Sequence, residues 1–289
     1  MAARERLPSE IVATANEKSR RLRELVLAPE ILVMPGAWDA LSAILFEHLG
    51  FQAVQGSSSA IAAAVGYPDG EVIDRERTVA ITREMASAVS VPVNADGERG
   101  YGGPDEAGET VRSLVQAGAA GMNLEDSLPT ANGRGLASIP DQLQKIAAVM
   151  ETKRALGSEF FLNARVDALA VMADDPKAAL AEAMKRGNAY AEAGADCIFY
   201  LGRADAGVIG ALVKEVRAPV SIFAGPYTPP VSELKDLGVA RVSYGSAFLR
   251  VALAAVKRFA EGIRGPSGHA PMSDAMTTRE LQEMLRKRL

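Results

Sequence analysis

The segment "VPVNADGERGYGGPDEAGETVRSLVQAGAAGMNLED" (residues 91–126) contains one complete copy of the pattern that decides the fold. A short apolar run, "VPVNAD", is followed by a glycine-rich turn, an amphipathic stretch and a second apolar run, "GMNLED". Gly118 stands just before the second run, where glycine suits the left-handed conformation that closes a helix. The order strand, helix, strand predicts a parallel βαβ unit.

The same pattern recurs along the whole chain. Helical patterns separate eight short apolar runs, at residues 31–36, 52–58, 91–96, 121–126, 160–168, 197–202, 219–225 and 240–245. Eight such units within about 250 residues favour a closed (β/α)8 TIM barrel over an open sheet.

Two helical segments lie outside the eight units, one at about residues 8–27 and one at residues 273–289. Ser273 or Thr277 is a suitable cap for the C-terminal helix. No Ser/Gly-rich linker divides the chain, so residues 1–289 are expected to form a single domain. Because the C-terminal helix follows an extended connector, we expect it to pack on a neighbouring subunit.

Composition excludes several classes of function. The chain has 289 residues, 48% hydrophobic and 24% charged, which allows a large core. The net charge of -4 and the lack of an arginine-rich run argue against a nucleic-acid partner. Cys197 is the single cysteine, so no internal disulfide forms and a reducing cytoplasm is expected. No apolar run has the length of a membrane span or matches a signal peptide.

Polar side chains end four consecutive predicted strands. They are Ser57, Ser58 and Ser59 on the second strand, with Asp69 shortly after, then Asp96 and Glu98 on the third, Glu125 and Asp126 on the fourth, and Arg165 and Asp167 on the fifth. Chemistry in TIM barrels takes place at these strand ends. Alternate strand residues share a face, so Asp96 and Glu98 are expected to point into one pocket. Adjacent strands lie ~4.8 Å apart, so Glu125 can reach the same pocket.

Converging carboxylates without histidine or cysteine suit a hard cation, Mg²⁺ or alternatively Mn²⁺. One acid could bind the metal while the others hold its waters. The planar fork of Arg165 suits a carboxylate or a phosphonate, and the three serines could bind the other end of an anionic substrate. Taken singly, each acid is more readily explained as a helix cap or a solvated loop residue. Their coincidence on neighbouring strands favours the metal site.

Six segments resemble the isocitrate lyase/phosphoenolpyruvate mutase superfamily, in the right order between about residue 30 and residue 250. They are "PGAWDALSA", "GSSSAIAAAVGYPD", "DGERGYGG", "NLEDS", "LNARVDAL" and "AYAEAGADCIFYLG". The resemblance implies a (β/α)8 barrel, often with the last helix swapped between subunits of a dimer or tetramer. It also implies an α-oxyacid substrate bound to Mg²⁺ through its carboxylate and its 2-oxo or 2-hydroxy oxygen.

The resemblance also implies a role for each matching acid. Asp96 would bind the metal directly, and Glu98 and Glu125 would hold metal-bound waters. Asp69 would join that network and take part in catalysis.

On the substrate side, the resemblance implies that Ser57 and the backbone of Ser58 hold the substrate carboxylate. Arg165 would contact the substrate's anionic groups and act in catalysis. Tyr101, a loop residue or water would supply a proton.

The loop after the fourth strand, "SLPTANGRGLASIP" (residues 127–140), departs from two branches of this superfamily. In the superfamily that this chain resembles, the lyases for isocitrate-like substrates carry a K-[KR]-C-G-H motif in this loop, and that motif is missing here. The phosphonopyruvate mutases and hydrolases have a Lys-Thr-Asn run, of which Thr130-Ala131-Asn132 keeps only the asparagine; Arg134 could replace the lysine only in charge. The remaining branch includes oxaloacetate decarboxylase-like enzymes.

Three functions are consistent with these residues. The leading hypothesis is a Mg²⁺-dependent lyase that acts on a small 2-oxo or 2-hydroxy di-acid through an enolate, by C–C cleavage or decarboxylation. The second is P–C bond chemistry on phosphonopyruvate or phosphoenolpyruvate, with Asn132 and Arg134 handling the phosphoryl group. The third is a non-catalytic barrel that binds an oxyacid.

Overall fold

A parallel sheet of nine strands forms the centre of the molecule in the computed structural model, which describes residues 9–131, 133–265, 272 and 275–286. In chain order its strands are β1 (Leu32–Met34), β2 (Gly36–Ala37), β3 (Val54–Gly56), β4 (Val93–Asp96), β5 (Gly121–Glu125), β8 (Phe161–Val166), β9 (Cys197–Tyr200), β10 (Val220–Phe223) and β11 (Arg241–Ser243). Strands β6 (Ser127–Thr130) and β7 (Gly133–Leu136) form a separate antiparallel hairpin.

The sheet closes on itself through one proline. Strands β1 and β2 are two halves of the first apolar run, divided at Pro35, which has no N–H to give to a ladder. Strand β1 pairs with β11 and β2 pairs with β3, so the two ends of the sheet are consecutive in the chain. The predicted eight-stranded barrel is confirmed, with its first strand split into two short strands, β1 and β2.

Helices follow the strands and cover the barrel. They are α1 (Ser9–Leu27), α2 (Ala40–His48), α3 (Ser58–Ala64), α4 (Arg75–Ala88), α5 (Pro104–Gln116), α6 (Ile139–Leu156), α7 (Ala168–Val171), α8 (Pro176–Glu192), α9 (Ala206–Glu215), α10 (Val231–Asp236), α11 (Ala247–Gly262) and α12 (Thr278–Arg286). Several begin at an aspartate whose side chain accepts from a backbone N–H of the first turn. None of the described helices is both long and apolar enough to cross a bilayer.

The predicted N-terminal helix, α1, closes the amino-terminal end of the barrel. Its buried Leu22 and Leu25 pack against Leu32 and Phe161, which lie at the starts of two strands. Cys197 belongs to the same apolar cluster, as expected of a core residue, and burial raises the pKa of its thiol to about 12. The opposite, carboxyl-terminal end of the barrel is therefore the one left for a site.

The C-terminal helix α12 packs on α2 of its own chain through the buried Met284. Thr277 caps it, since the Glu280 amide donates to the Thr277 hydroxyl over 3.2 Å, while Ser273 lies outside the described residues. The expected packing on a neighbouring subunit is not seen in this single chain and stays a prediction. Helix α11 is largely exposed, including its apolar Val251 and Val256.

The backbone approaches itself closely where the barrel closes, so a single methyl group added at Gly36 is expected to lower the stability of the fold. An added Cβ at Gly36 would lie 1.9 Å from the carbonyl oxygen of Gly245, which is backbone and cannot rotate away. We expect Gly36→Ala to lower the free energy of unfolding by roughly 3 kcal/mol, measured by urea denaturation. Gly225→Ala is the matched control, because nothing lies within 4 Å of its added Cβ. Equal stability of the two variants would contradict the tight closure.

Candidate active site

A cavity of about 180 Å³ opens at the carboxyl-terminal ends of the strands. Its lining includes Ser57, Ser58, Asp69, Asp96, Arg134 and Arg165. The volume is below the ~300–1,000 Å³ of pockets that bind drug-sized ligands. The cavity therefore suits a small molecule, and polar groups from several strands surround it.

The three strands that carry the predicted acids and arginine are neighbours. Strand β4 pairs with β5, and β5 pairs with β8. In this register Glu125 lies directly opposite Arg165, and Asp96 lies opposite Asn123. The carboxyl ends of parallel strands meet at one rim, so residues distant in sequence become adjacent there.

Asp96 is buried and its carboxylate is fixed by two backbone donors. Oδ2 accepts from the Ser58 amide over 2.9 Å, and Oδ1 accepts from the Glu98 amide over 3.1 Å. Burial raises the pKa of Asp96, while the positive charge of Arg165 opposes the rise. The Ser58 amide, expected to hold the substrate carboxylate, thus donates to Asp96 in this structure.

A turn, and not a strand, brings Glu98 close to Asp96 and Glu125. Strand β4 ends at Asp96, and Glu98 has a left-handed φ of +48°. An added Cβ at Gly97 would lie 2.6 Å from the Asn123 carbonyl oxygen, so this close approach requires glycine. Burial, with the negative charges of Asp96 and Glu125, raises the pKa of Glu98 to about 9. The three acids lie close together, but Glu98 and Glu125 are not in the described cavity lining, and strand alternation is not what brings Glu98 to Asp96.

Arg165 is clamped between two carboxylates. Its Nη1 lies 2.5 Å from Glu125 Oε2, and Nε and Nη2 donate to the two oxygens of Asp167 over 2.6 and 2.7 Å. The negative charges of Glu125 and Asp167 raise the pKa of Arg165, against the effect of its burial. Its orientation is therefore fixed and its charge is already balanced.

A second buried network supports Asp167 from behind. The Asp167 amide donates to Asp126 Oδ1 over 2.9 Å, and Asp126 Oδ2 accepts from Arg186 over 2.9 Å and from the Tyr190 hydroxyl over 2.8 Å. Sequence reasoning missed Arg186 and Tyr190, which lie one turn apart on α8. A buried i, i+4 pair of polar side chains on an otherwise amphipathic helix is the only signal the sequence offers.

The hairpin of β6 and β7 places a second arginine at the cavity. Arg134 Nη2 lies 3.4 Å from Asp69 Oδ2, and its Nη1 lies 3.7 Å from Asp167 Oδ2. The Arg134 side chain is 45% exposed, against 9% for Arg165. Arg134 is thus a weakly paired cation facing the cavity. Asn132, which stands between β6 and β7 in the sequence, lies outside the described residues.

Two predicted site residues have other partners in this structure. The Ser57 hydroxyl lies in the cavity wall, 3.4 Å from that of Ser59. The Tyr101 hydroxyl donates to Thr78 over 2.9 Å, and its ring is not in the described cavity lining. Burial raises the pKa of the Tyr101 phenol, so it keeps its proton.

Sequence reasoning also missed Glu71, which holds the glycine-rich turn in place. Its Oε1 accepts from the amides of Arg99 and Tyr101 over 2.9 and 3.0 Å, and its Oε2 pairs with the Arg99 guanidinium at 2.9 Å. The sequence shows only one more acid in "GYPDGEV", with no sign that it reaches the turn.

The acids at the cavity form an all-oxygen donor set. In the described part of the chain, no group of three or more Asp, Glu, His or Cys side chains is arranged ready to hold a metal ion. Mg²⁺ needs no such cage, because it binds through one or two carboxylates and keeps several waters. Asp96, Glu98 and Glu125 offer only oxygen atoms, and burial together with the negative charges of its two neighbours raises the pKa of Glu98. These residues fit a hydrated hard cation.

Comparisons with known proteins agree with this architecture. A family model described as phosphoenolpyruvate phosphomutase matches residues 22–264. The 2-methylisocitrate lyase of Bacillus subtilis is 32% identical over 85% of this chain and 81% of its own length. The 2,3-dimethylmalate lyase of Eubacterium barkeri is 30% identical over 89% of this chain and 90% of its own.

A solved structure of oxaloacetate acetylhydrolase with the inhibitor 3,3-difluorooxalacetate superposes with a TM-score of 0.83 at 27% identity, covering 94% of each chain. The barrel and the predicted superfamily resemblance are thereby confirmed. This chain belongs to the phosphoenolpyruvate phosphomutase family and is an enzyme of the isocitrate lyase/phosphoenolpyruvate mutase superfamily.

Proposed function

We propose that this enzyme is a Mg²⁺-dependent lyase, also active with Mn²⁺, that breaks a C–C bond in a small 2-oxo or 2-hydroxy di-acid such as oxaloacetate. The observation that carries the proposal is the small cavity, which is lined by Asp69, Asp96 and two arginines and has Glu98 and Glu125 beside Asp96. The names of its relatives support it, since they include lyases of 2-methylisocitrate and 2,3-dimethylmalate and an oxaloacetate acetylhydrolase.

The balance of charge supports the need for a cation. Five acidic side chains line or adjoin the cavity, namely Asp69, Asp96, Glu98, Glu125 and Asp167, against the guanidinium groups of Arg134 and Arg165. With its pKa raised to about 9, Glu98 is charged at neutral pH only when a cation is bound, and the other four acids still outnumber the two arginines. A di-acid entering this field would be repelled, and a divalent cation held by Asp96 would offset the excess. When bound, that cation supplies an electrophile that polarises the substrate's 2-oxo group.

The protein's own groups would orient the substrate. The Ser57 hydroxyl and the fixed fork of Arg165 bind the carboxylate next to the 2-oxo group, and Arg134 binds the distal carboxylate. When the distal carboxylate stands on the carbon next to the 2-oxo group, as in oxaloacetate, loss of CO₂ passes the bonding electron pair to the 2-oxo group and leaves an enolate. This step requires no acid at the breaking bond, so it tolerates a 127–140 loop without cysteine. Because Tyr101 faces Thr78 and keeps its proton, water in the open cavity is the simpler proton source.

The competing candidate is P–C bond chemistry on phosphonopyruvate. The description of the matching family model favours it, and Arg134 could bind a phosphonate as well as a carboxylate. The assays below separate the two reactions.

We further propose that the enzyme is a homodimer or homotetramer in which the C-terminal helix, at residues 273–289, packs on a neighbouring subunit and helix α11 lies in the same interface. Helix α11 follows the last strand and exposes Val251, Leu253 and Val256. A second copy covering this face would remove apolar surface from water.

The first prediction concerns the metal site. Wild-type protein with Mg²⁺ should release CO₂ and pyruvate, or another C–C cleavage product, from at least one acid in a panel of 2-oxo and 2-hydroxy di-acids. Asp96→Asn should reduce kcat/KM by about 10³-fold or more, because the buried carboxylate that would hold the cation loses its charge. Product is measured by coupled assay and by ¹³C NMR.

Asp174→Asn is the matched control, because it makes the same change at an exposed position away from the cavity. Turnover of phosphonopyruvate seen by ³¹P NMR, without turnover of any di-acid, would replace the lyase proposal by P–C chemistry. No turnover of either class would refute both.

The second prediction concerns Arg134. Arg134→Gln should raise KM for the di-acid about 10- to 100-fold, the worth of one charge-assisted contact, while Mn²⁺ affinity stays unchanged. Arg203→Gln is the control, since Arg203 stacks on Tyr227 at 4.1 Å and is not in the described cavity lining. An unchanged KM in Arg134→Gln would show that another group binds the distal carboxylate.

The third prediction concerns assembly. In light scattering after gel filtration, wild-type protein should be a dimer or tetramer, and Val256→Asp should shift it toward monomer by placing a charge in the covered face. Lys257→Asp is the control, with the same new side chain at an adjacent position that already carries a charge. A monomeric wild-type protein would overturn this proposal.

A further inference from the structure

A layer of polar side chains lies inside the barrel, directly below the cavity. Its members are Gln55, Asn94, Asn123, Asn163, Ser221 and Arg241, and all are 0–3% exposed. The interiors of TIM barrels are mostly filled by branched apolar side chains. Burying polar groups is costly unless each finds a partner, so this layer calls for a physical explanation.

Arg241 is the member of the layer whose burial costs the most free energy, because it carries a charge. Its Nη2 donates to Gln55 Oε1, but Nε and Nη1 have no partner among the described residues, and no described carboxylate pairs with it. Burial lowers the pKa of Arg241 to about 10, so it still carries its charge at neutral pH. Replacing such a buried cation by an apolar side chain is often neutral or stabilising. Arg241 is therefore poorly explained by a contribution to stability.

What Arg241 does achieve is to fix the amide of Gln55. Gln55 Oε1 accepts from Arg241 and also from Asn94 Nδ2, over 3.0 Å. Arginine has no acceptor, so the Gln55 oxygen must face it and the NH₂ group must face away. A flipped amide would set donors against donors.

The Gln55 NH₂ group then joins two strands at the point where their ladder ends. The pairing of β3 with β4 runs only to Gln55 opposite Asn94. Just beyond it, Gln55 Nε2 donates to the carbonyl oxygens of Gly56 and Ala95, over 2.6 and 3.3 Å. One side chain thus holds both backbones together in the absence of ladder bonds.

These two carbonyls lie immediately before the site. Ala95 precedes Asp96, and the end of β3 leads to Ser58, whose amide donates to Asp96 Oδ2 over 2.9 Å. The approach is close, because a Cβ added at Gly56 would lie 3.3 Å from the Asp96 amide nitrogen. A shift of β3 relative to β4 would therefore turn the Asp96 carboxylate.

We propose that Gln55, held in one orientation by Arg241, is a positioning residue that locks the end of β3 to the end of β4 and so aims the Asp96 carboxylate at the cation. This inference rests on the proposed metal-dependent function. Loss of a group that supports a metal ligand commonly weakens metal binding by about 10- to 100-fold, and we expect an effect of this size when Gln55 or Arg241 is replaced.

The test measures Mn²⁺ binding to the full chain by electron paramagnetic resonance, without any substrate. Gln55→Met and Arg241→Met should each weaken Mn²⁺ binding about tenfold or more. Because Arg241 acts through Gln55, the double variant should bind no more weakly than Gln55→Met alone. The thermal midpoint of Arg241→Met should equal or exceed that of wild type, since an unpaired buried charge is removed. A merely structural role predicts the reverse, a lower midpoint with unchanged Mn²⁺ affinity.

Ser221→Ala is the matched control, because Ser221 belongs to the same buried layer and makes no described bond to Gln55; it should bind Mn²⁺ like wild type. If Asp96→Asn loses Mn²⁺ but Gln55→Met and Arg241→Met retain wild-type affinity, the positioning role is overturned and the metal site stands. If wild-type protein binds no Mn²⁺, both the metal site and the positioning role are refuted. Should one methionine variant fail to fold, the other decides the question alone.

Discussion

The clamp of Arg165 between Glu125 and Asp167 is the interaction on which the site depends. It ties β5 to the turn after β8 and sets one fixed positive charge among five carboxylates. Removing one partner from a buried ion pair costs about 3–5 kcal/mol, because it leaves an uncompensated charge. Without Arg165 the acids would repel one another, and their burial would favour protonation over cation binding.

The two ends of the barrel have different roles: the amino-terminal end contributes stability and the carboxyl-terminal end carries the candidate site. At the amino-terminal end, α1 covers an apolar cluster that includes Leu32 and Phe161. At the carboxyl-terminal end, side chains are polar, charged and partly exposed, with Arg186 and Tyr190 supporting the rim from outside. Apolar packing at the amino-terminal end offsets the free-energy cost of burying charged groups at the carboxyl-terminal end. The residues at the carboxyl-terminal end can therefore serve binding and catalysis without also supplying the core.

The sequence predicted the barrel because each strand is a short apolar run bounded by glycine or by a helix cap, which are local signals. It also predicted which strand ends meet, since consecutive parallel strands are neighbours. It could not predict the hairpin of β6 and β7, where Pro129 and two glycines hide any strand pattern. Nor could it predict the roles of Glu71, Arg186 or Arg241, because the partners that define these roles lie 28 to 186 residues away, and only the i, i+4 spacing of Arg186 and Tyr190 is visible locally. Glu98 shows the limit most clearly, since it lies near Asp96 as expected but belongs to a turn and not to the strand whose alternation was used to place it.

The two arginines at the cavity differ in how freely they can move. This difference assigns substrate binding mainly to the mobile arginine and support of the acids to the fixed one. Arg165 makes three short contacts, so it can offer a ligand only the N–H groups that already face the cavity, and it cannot turn without leaving two buried acids unpaired. Arg134 lies on a hairpin and makes only long contacts, so exchanging Asp69 for a substrate carboxylate costs it little. Changes in the hairpin can therefore alter which distal group is accepted, while the clamp that holds the acids together stays intact. Divergence among related enzymes is then expected to concentrate in this hairpin, because it is the one part of the site that can vary without disturbing the charges below it.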